Sequence, residues 1–261
     1  MPDSGPAFSV RIAETEAELR AAQALRYDVF VRELGGGGAE VDHEAGLERD
    51  TFDPFVDHML LEDTSTGKVV GVYRLLRESQ AEAAGRFYSE SEYDLTLLKA
   101  SGRRLLELGR SCLHRDYRGG TAMFHLWNGL AEYVLEHDIE ILFGTASFHG
   151  TDVAALAEPL AMLYHNHLAP PELRVRALAA HYQPMDLVPA DALDRRRAMV
   201  QVPALIKAYL RLGGMVGEGA FIDHDFNTTD ICLILDTARM NARQQRIYAG
   251  VQTGAASGAG A

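Results

Sequence analysis

The sequence predicts an α/β fold, in which a mixed sheet carries helices on both of its faces. One observation is the order of patterns: apolar stretches typical of strands alternate with segments whose apolar residues recur at helical spacing. The other is composition, since 47% hydrophobic and 24% charged residues in 261 are ordinary for a globular protein that can bury a core. We therefore expect one large domain, or a domain with a subdomain.

The first two thirds of the chain contain five strand patterns and three helix patterns. The predicted strands are residues 10–13, 58–62, 69–76, 105–113 and 141–148. A capping box of Thr15 and Glu18 opens the first helix, which Gly35–Gly38 ends. The second helix carries apolar residues from Met123 to Val134, and Asp152 is expected to cap the third.

The pattern changes after His181, where prolines and the run Arg195–Arg197 follow. We expect a helix at 205–212, a hairpin of 221–225 with 231–235, and a last helix at 238–248. Three parts are therefore predicted: a core at 8–182, a C-terminal α+β extension at 183–250 packed on it, and a tail at 251–261. The tail, rich in glycine, alanine and serine, is expected to be disordered.

Charge and cysteine content exclude several classes of protein. A formal net charge of −12 argues against nucleic-acid binding, which needs a basic face. Two cysteines are too few for a disulfide framework, and a reduced cytoplasm is expected. No signal peptide or membrane span is visible, so any membrane contact is expected to be peripheral.

The segment LLELGRSCLHRDYRGGT, residues 105–121, is the most informative one. A strand runs through a short loop into the start of a helix, where free backbone N–H groups and the helix dipole favour an anion. Arg115 and Arg118 add positive charge, and Gly119 and Gly120 allow close approach of a ligand. The alternative is a solvated turn with two surface arginines.

Glu107 and Arg110 lie inside this apolar strand, where a charge is costly unless it is paired or used. Regular alternation places them on opposite faces, whereas a bulge near Gly109 would bring both to one face. A structural ion pair of Glu107 or Arg110 with Arg74 or Asp53 is the alternative to a functional role.

A second polar set has its members spread over the first helix, the acidic loop and the third strand. Acidic groups suit an amine-bearing substrate, and arginine suits a carboxylate. A solvated loop is the alternative for the acids, and a metal site of His58 with two aspartates is disfavoured. The set is Arg26, Phe30, Asp50, Asp53, His58 and Arg74.

Cys112 lies between apolar neighbours, and a buried, unreactive thiol is favoured there over a nucleophile.

Together these motifs resemble the ornithine N-acyltransferases of ornithine-lipid synthesis, in the acetyltransferase group once labelled "putative haemolysin". The resemblance covers residues 24–168 and continues near the C-terminus. The matching segments are LRYDVFVREL, DTFD with His58, GKVVGVYRLL, LELGRSCLHRDYRGG, LWNGLAEYV, KAYLRLGG and FIDHDFNTTDICLILD. The resemblance implies a GNAT-like fold, with a mixed central sheet flanked by helices.

The same core resembles acyl-homoserine-lactone synthases. In that family, residues at the places of Arg26, Phe30, Asp50, Asp53, Arg74, Glu107 and Arg110 line the site. The chain departs from the lactone synthases after this core, so a lactone synthase remains the alternative. Arg118 also replaces the middle glycine of the loop that holds the CoA pyrophosphate in ordinary GNAT enzymes. This departure favours the single phosphate of a carrier protein's phosphopantetheine.

The resemblance implies that a 3-hydroxyacyl thioester on acyl carrier protein, with no bound cofactor, donates to the α-amine of ornithine, giving lyso-ornithine lipid. Glutamine, lysine and glycine stay open as other acceptors. Glu107, its pKa raised by burial or acting through a water, is the expected base, with oxyanion stabilisation at Gly109 and Arg110. Arg26, Phe30, Asp50, Asp53, His58 and Arg74 are expected to bind the acceptor.

Acyl carrier protein is acidic, so a basic docking surface is expected. The arginines 195–197 are a second basic run, expected either to touch anionic lipid of the inner membrane or to be solvated. Two rivals are a non-catalytic carrier-binding regulator and a membrane-lytic protein. The expected donor-binding residues are Arg103, Arg104, Arg115, Arg118, Gly119, Gly120 and Thr121.

Overall fold

A computed structural model describes residues 7–38 and 41–240, and it confirms the mixed α/β class. Its contacts divide the chain into two compact units, the first formed by the residues up to Ala84 with Leu108–Asp138. The second is formed by Gly85–Glu107 with the described residues from Ile139 to Met240. Residues 183–240 belong to this second unit together with residues 139–182, and the expected three-part division stays a prediction. The tail 251–261 and most of the expected helix 238–248 lie outside the described residues.

The first unit contains four strands in the order β1-β2-β3-β5, of which β1 with β2 and β2 with β3 pair antiparallel. The hairpin predicted around Gly67 is confirmed. The strands of the first unit are β1 (Phe8–Ile12), β2 (Asp57–Asp63), β3 (Lys68–Arg77) and the second half of β5 (Leu105–Leu113). Its helices are α1 (Glu16–Arg26), α2 (Glu78–Ala84) and α4 (Ala122–Glu136).

Helices α1 and α4 cover opposite faces of this sheet. Leu60 and its cross-strand partner Val72 pack in one apolar cluster with Leu25 of α1. Gly71, next to Val72, faces α4, since a Cβ there would lie only 2.9 Å from Cδ1 of Leu126. Because neighbouring residues of a strand point to opposite faces, the predicted two-sided cover is confirmed for this unit.

The first helix begins as predicted, with Thr15 and Glu18 forming the capping box. Beyond Arg26 the helix continues as a π-helix over Tyr27–Glu33, which the sequence did not predict. Gly35 follows with a φ of +72°, a conformation that glycine adopts without strain. The widened turn begins directly after Arg26, and π-helical segments are frequent at functional sites.

The second unit contains the strand order β5-β6-β11-β10-β8, with β9 beside β11. Residues Leu105–Glu107 of β5 pair parallel with β6, and the other ladders are antiparallel. Its further strands are β4 (Tyr93–Asp94), β6 (Ile141–His149), β7 (Arg176–Ala177), β8 (Tyr182–Gln183), β9 (Met215–Val216), β10 (Ala220–Asp223) and β11 (Thr228–Asp236). Its helices are α3 (Thr96–Lys99), α5 (Ala157–His167), α6 (Arg195–Gln201) and α7 (Ala204–Arg211).

One expectation about local structure was wrong in this region. Asp152 does not cap α5, because its carboxylate accepts from the N–H groups of Ala154 and Ala155 in a preceding turn. Residues 78–104 also hold short elements that carry no periodic signal, including a 3-10 turn at Tyr88–Ser91. Within the described ranges, no helix combines the length and apolar character needed to cross a bilayer.

Candidate active site

Arg26 is the centre of a charged group buried in the first unit. Its side chain is 0% exposed, and its guanidinium donates through Nε to Glu48 and through Nη1 to Asp53 Oδ1 at 2.8 Å. Gln23, one turn earlier on α1, donates to the other oxygen of Asp53 at 2.9 Å. A buried arginine is tolerated because two carboxylates compensate its charge.

Arg74 and Arg110 complete the group from strands β3 and β5. Nη1 of Arg74 lies 2.5 Å from Asp50 and 3.5 Å from Asp53. Nε of Arg110 lies 3.0 Å from Glu48, and its Nη2 lies 3.2 Å from Asp50. Cations and anions therefore alternate and balance. We call these six side chains the buried charge network: Arg26, Glu48, Asp50, Asp53, Arg74 and Arg110.

Arg110 adopts a left-handed backbone conformation, with a φ of +51°. Such a conformation costs a residue other than glycine about 1–2 kcal/mol. It breaks the alternation of β5 beside Gly109, where the sequence predicted an irregularity. A strained residue held in place by two ion pairs is typical of a functional site.

The arginines keep the acids of the network ionised. Burial alone would raise the pKa of Asp50, but attraction to Arg74 and Arg110 outweighs it and lowers that pKa to about 2. The pKa of Glu48 and that of Asp53 are lowered for the same reason, against the opposing effect of burial. At neutral pH the network is therefore fully charged and internally neutralised.

Acid should weaken the fold through this network. The folded pKa of Asp50 is below that of an unfolded aspartate, about 3.9, so its contribution is complete above roughly pH 4 and is lost as pH falls towards 2. A shift of this size corresponds to about 2.5 kcal/mol. In urea unfolding, Asp50→Asn should reduce the loss of stability between neutral and acid pH by about that amount. An unchanged loss in the variant would contradict this prediction.

Only part of the network can be reached from outside. The side chains of Asp50 and Arg110 are each 14% exposed, whereas the other four are between 0% and 4% exposed. A ligand in the first unit can therefore meet Asp50 and Arg110 before any other member. Asp53 and Arg74, which the sequence grouped with them, lie behind this edge and brace it.

His58 and Phe30 border the network without joining its charges. Nε2 of His58 lies 3.1 Å from the carbonyl oxygen of Asp53, and burial lowers the pKa of the imidazole. The ring is therefore neutral, and its Nδ1 has no hydrogen-bond partner among the described residues. Phe30 packs against the apolar cluster of α1 and the sheet. Its observed contacts are those of a core residue.

Glu107 lies in the second unit and is only 3% exposed. Its carboxylate accepts from the backbone N–H groups of Tyr88 and Ser89, both at 2.7 Å, and from the hydroxyl of Ser89. These bonds fix the 3-10 turn at Tyr88–Ser91 to β5 and stabilise the ionised carboxylate. The parallel pairing of β5 with β6 ends at this residue, opposite Phe143.

Cys112 is the unreactive thiol that its neighbours predicted. It belongs to the apolar cluster between α1 and the sheet. Burial raises the pKa of its thiol to about 12, so the thiolate that acts as a nucleophile is absent at neutral pH.

The glycine loop before α4 differs in part from the expected phosphate site. Arg118 is held by the carboxylate of Glu33, with one contact at 2.9 Å, and it donates to the carbonyl oxygen of Leu113. Its guanidinium therefore braces the loop. Arg115 is exposed, Gly119 has a φ of +80°, and Thr121 precedes α4 without capping it. The N–H groups at the start of α4 remain suited to an anion.

Arg103 and Arg104 precede β5, whereas Arg115 and Arg118 follow it. Arg103 pairs with Asp236 at 2.7 and 2.8 Å, and the backbone N–H of Arg104 donates to Glu140. Arg103 and Arg118 thus each have a carboxylate partner within their own unit, Asp236 and Glu33, and the docking role of the four arginines stays a prediction.

Sequence reasoning missed Glu48, Gln23 and Ser89. Glu48 carried a signal, because three arginines in apolar segments require carboxylate partners and Glu48 begins the run E-x-D-x-x-D that contains Asp50 and Asp53. Ser89 carried none, because its contact with Glu107 joins residues 18 positions apart and no local pattern marks it.

Residues 25–128, which include the whole buried charge network and Glu107, match the model of the acetyltransferase (GNAT) domain. A solved CoA-dependent acyl-homoserine lactone synthase, BjaI, superposes with a TM-score of 0.53 at 13% identity, over 94% of this chain and 89% of that one. At this identity the likeness concerns the fold, and the GNAT-like fold expected from the motifs is confirmed.

Two curated relatives cover nearly the whole chain. The L-ornithine N(alpha)-acyltransferase of Rhodobacter capsulatus is 59% identical over 246 residues, which are 92% of this chain and 94% of the relative. The L-ornithine N(alpha)-acyltransferase of Brucella abortus is 43% identical over 248 residues, 92% of this chain and 88% of the relative. On this similarity, the chain belongs to the L-ornithine N(alpha)-acyltransferase family.

Proposed function

We propose that this chain transfers a fatty acyl group from the phosphopantetheine thioester of acyl carrier protein to the α-amine of ornithine, giving lyso-ornithine lipid. The observation that carries the proposal is the 59% identity to an L-ornithine N(alpha)-acyltransferase over 92% of the chain. The partly exposed pair Asp50 and Arg110 supports it, because ornithine carries both a carboxylate and a second ammonium group.

In the proposed reaction the α-ammonium of ornithine first loses a proton, since an ammonium cannot attack a carbonyl. Glu107 takes this proton, directly or through a water. The amine then attacks the thioester carbon, the C–N bond forms and the C–S bond breaks. The thiolate of phosphopantetheine leaves and recovers a proton from Glu107, and the nitrogen releases its second proton to solvent to become the neutral amide. N–H groups near Gly109 and Arg110 are proposed to stabilise the oxyanion.

Direct transfer is favoured over an acyl-enzyme. An acyl-enzyme would need an accessible nucleophile, and Cys112 is buried with its pKa raised to about 12. The other cysteine among the described residues, Cys232, is also fully buried with a raised pKa. We therefore assign no covalent intermediate to the protein.

Acceptor recognition is assigned to the exposed edge of the network. The guanidinium of Arg110 suits the α-carboxylate, and the carboxylate of Asp50 suits the distant ammonium. Arg26, Arg74, Asp53 and Glu48 hold these two groups in place. Preorganised charges of this kind bind a zwitterion with little further ordering.

Donor recognition is assigned to Arg115 and the start of α4. The phosphate of phosphopantetheine suits the free N–H groups there, and exposed Arg115 suits the acidic surface of a carrier protein. Peripheral contact with a membrane also belongs to this proposal, because the acyl product is amphiphilic.

The proposal is tested with the purified chain, a 3-hydroxyacyl carrier protein, the matching acyl-CoA and a panel of amino acids. N-Acylornithine should form fastest from the carrier thioester, as measured by mass spectrometry. Arg115→Glu should raise KM for the carrier at least about fivefold, whereas the exposed control Arg20→Glu should not. Equal kcat/KM for the two donors contradicts the carrier assignment. Absence of N-acyl amino acids contradicts the function itself.

A further inference from the structure

The segment 195–217 is basic in an acidic protein. The chain has 37 acidic and 25 basic residues, yet this segment contains no aspartate or glutamate. Its charge is therefore opposite in sign to that of the whole chain. The basic residues of the segment are Arg195, Arg196, Arg197, Lys207 and Arg211.

Helix α6 directs its residues to two sides. Ala198 is buried, and Arg197 turns to Glu158 of α5, with which it forms an ion pair. Arg196 and Val200, four residues apart, lie on the side opposite Ala198. Arg196 is exposed, and Val200 is 73% exposed, the largest exposed fraction among the large apolar residues that the structure describes.

Helix α7 presents a matching side. Ile206 and Tyr209 are buried, which places Lys207 and Arg211 on the outward side. The ammonium of Lys207 donates to the carbonyl oxygen of Val200 at 2.9 Å and so joins the two helices. We call Arg195, Arg196, Val200, Lys207 and Arg211 the α6–α7 surface.

We propose that the α6–α7 surface docks on the anionic face of a phospholipid bilayer. Basic side chains around an exposed aliphatic one are the combination that holds a helix in the bilayer interface, with charge on the headgroups and the apolar residue among the acyl chains. An acidic protein partner would use the same charges but would not need exposed Val200. The proposal names the membrane-binding residues and does not depend on which acceptor the enzyme uses.

The test is cosedimentation of the full chain with phosphatidylcholine vesicles prepared with and without phosphatidylglycerol. The chain should bind the anionic vesicles, and binding should fall as salt rises. Arg196→Glu with Arg211→Glu should lower partitioning at least about 25-fold, since each basic residue contributes about fivefold. Val200→Asp should also lower it. The matched control, Arg20→Glu with Lys68→Glu, changes the net charge equally on exposed residues of the first unit and should bind almost as wild type.

Failure of the wild type to bind anionic vesicles would overturn the proposal, and so would an equal loss in the control. Loss of carrier-protein binding by the α6–α7 variant, with vesicle binding intact, would assign the surface to a protein partner instead. Acyl transfer is measured without vesicles on the same samples. A chain that binds vesicles but transfers no acyl group contradicts the proposed function and leaves this inference standing.

Discussion

Replacing Glu107 by glutamine should lower kcat by about 100-fold or more, which is the usual contribution of a general base. The amide cannot accept the proton of the α-ammonium, so the attacking amine would form only by slower exchange with solvent. KM for ornithine and for the donor should change little, because the acceptor contacts are assigned to Asp50 and Arg110. Steady-state kinetics at saturating donor measures the effect, and urea unfolding checks the fold.

Ser89→Ala is the matched control, because Glu107 also anchors the turn at Tyr88–Ser91. In the glutamine variant, the amide N–H₂ would face one of the two backbone N–H groups that now donate to the carboxylate. Ser89→Ala removes the hydroxyl bond to Glu107 and leaves the carboxylate in place. It should retain activity within about tenfold of wild type. A loss as large as that of Glu107→Gln would assign Glu107 a purely structural role.

The sequence predicted the β5 strand and its irregularity because local signals were strong there. Two charges in an apolar stretch of nine residues stand out, and Gly109 between them marks a break in the strand. The structure places the break at Arg110, whose φ is +51°. The neighbouring hairpin could be predicted equally well, since two apolar strand patterns on either side of Gly67 are typical of a hairpin.

The partners of the charged residues were not predictable from local patterns. Arg118 resembles a phosphate ligand in its loop, but its carboxylate partner Glu33 stands 85 positions away in the sequence. Asp50 and Asp53 differ in burial, with 14% and 4% of the side chain exposed, and burial of a loop depends on the packing of other elements. No element was predicted in the segment 78–104 for a different reason: its helices and strands are only two to seven residues long, too short to show a period.

We expect different effects from replacing the two aspartates of the network, Asp50 and Asp53, which stand three positions apart in the sequence. Asp53 is 4% exposed and bonded to Arg26 and Gln23. Its replacement by asparagine leaves a fully buried arginine short of one counter-charge, which costs on the order of 3 kcal/mol. Asp53→Asn should therefore lower stability and reduce kcat/KM for every acceptor in the same proportion.

Asp50→Asn should instead change the choice of acceptor. Asp50 is 14% exposed, and its arginine partners keep other acids, since Arg74 also meets Asp53 and Arg110 also meets Glu48. The wild type should prefer ornithine over glutamine by about 10- to 150-fold, the value of one charge-assisted contact to an ammonium group. In Asp50→Asn most of that preference should disappear through a lower kcat/KM for ornithine and lysine, with kcat/KM for glutamine and glycine nearly unchanged.

The measurement is kcat/KM for the four amino acids with wild type, Asp50→Asn and Asp53→Asn. A wild type that prefers glutamine, or a proportional loss for all acceptors in Asp50→Asn, would show that Asp50 only braces Arg74 and Arg110.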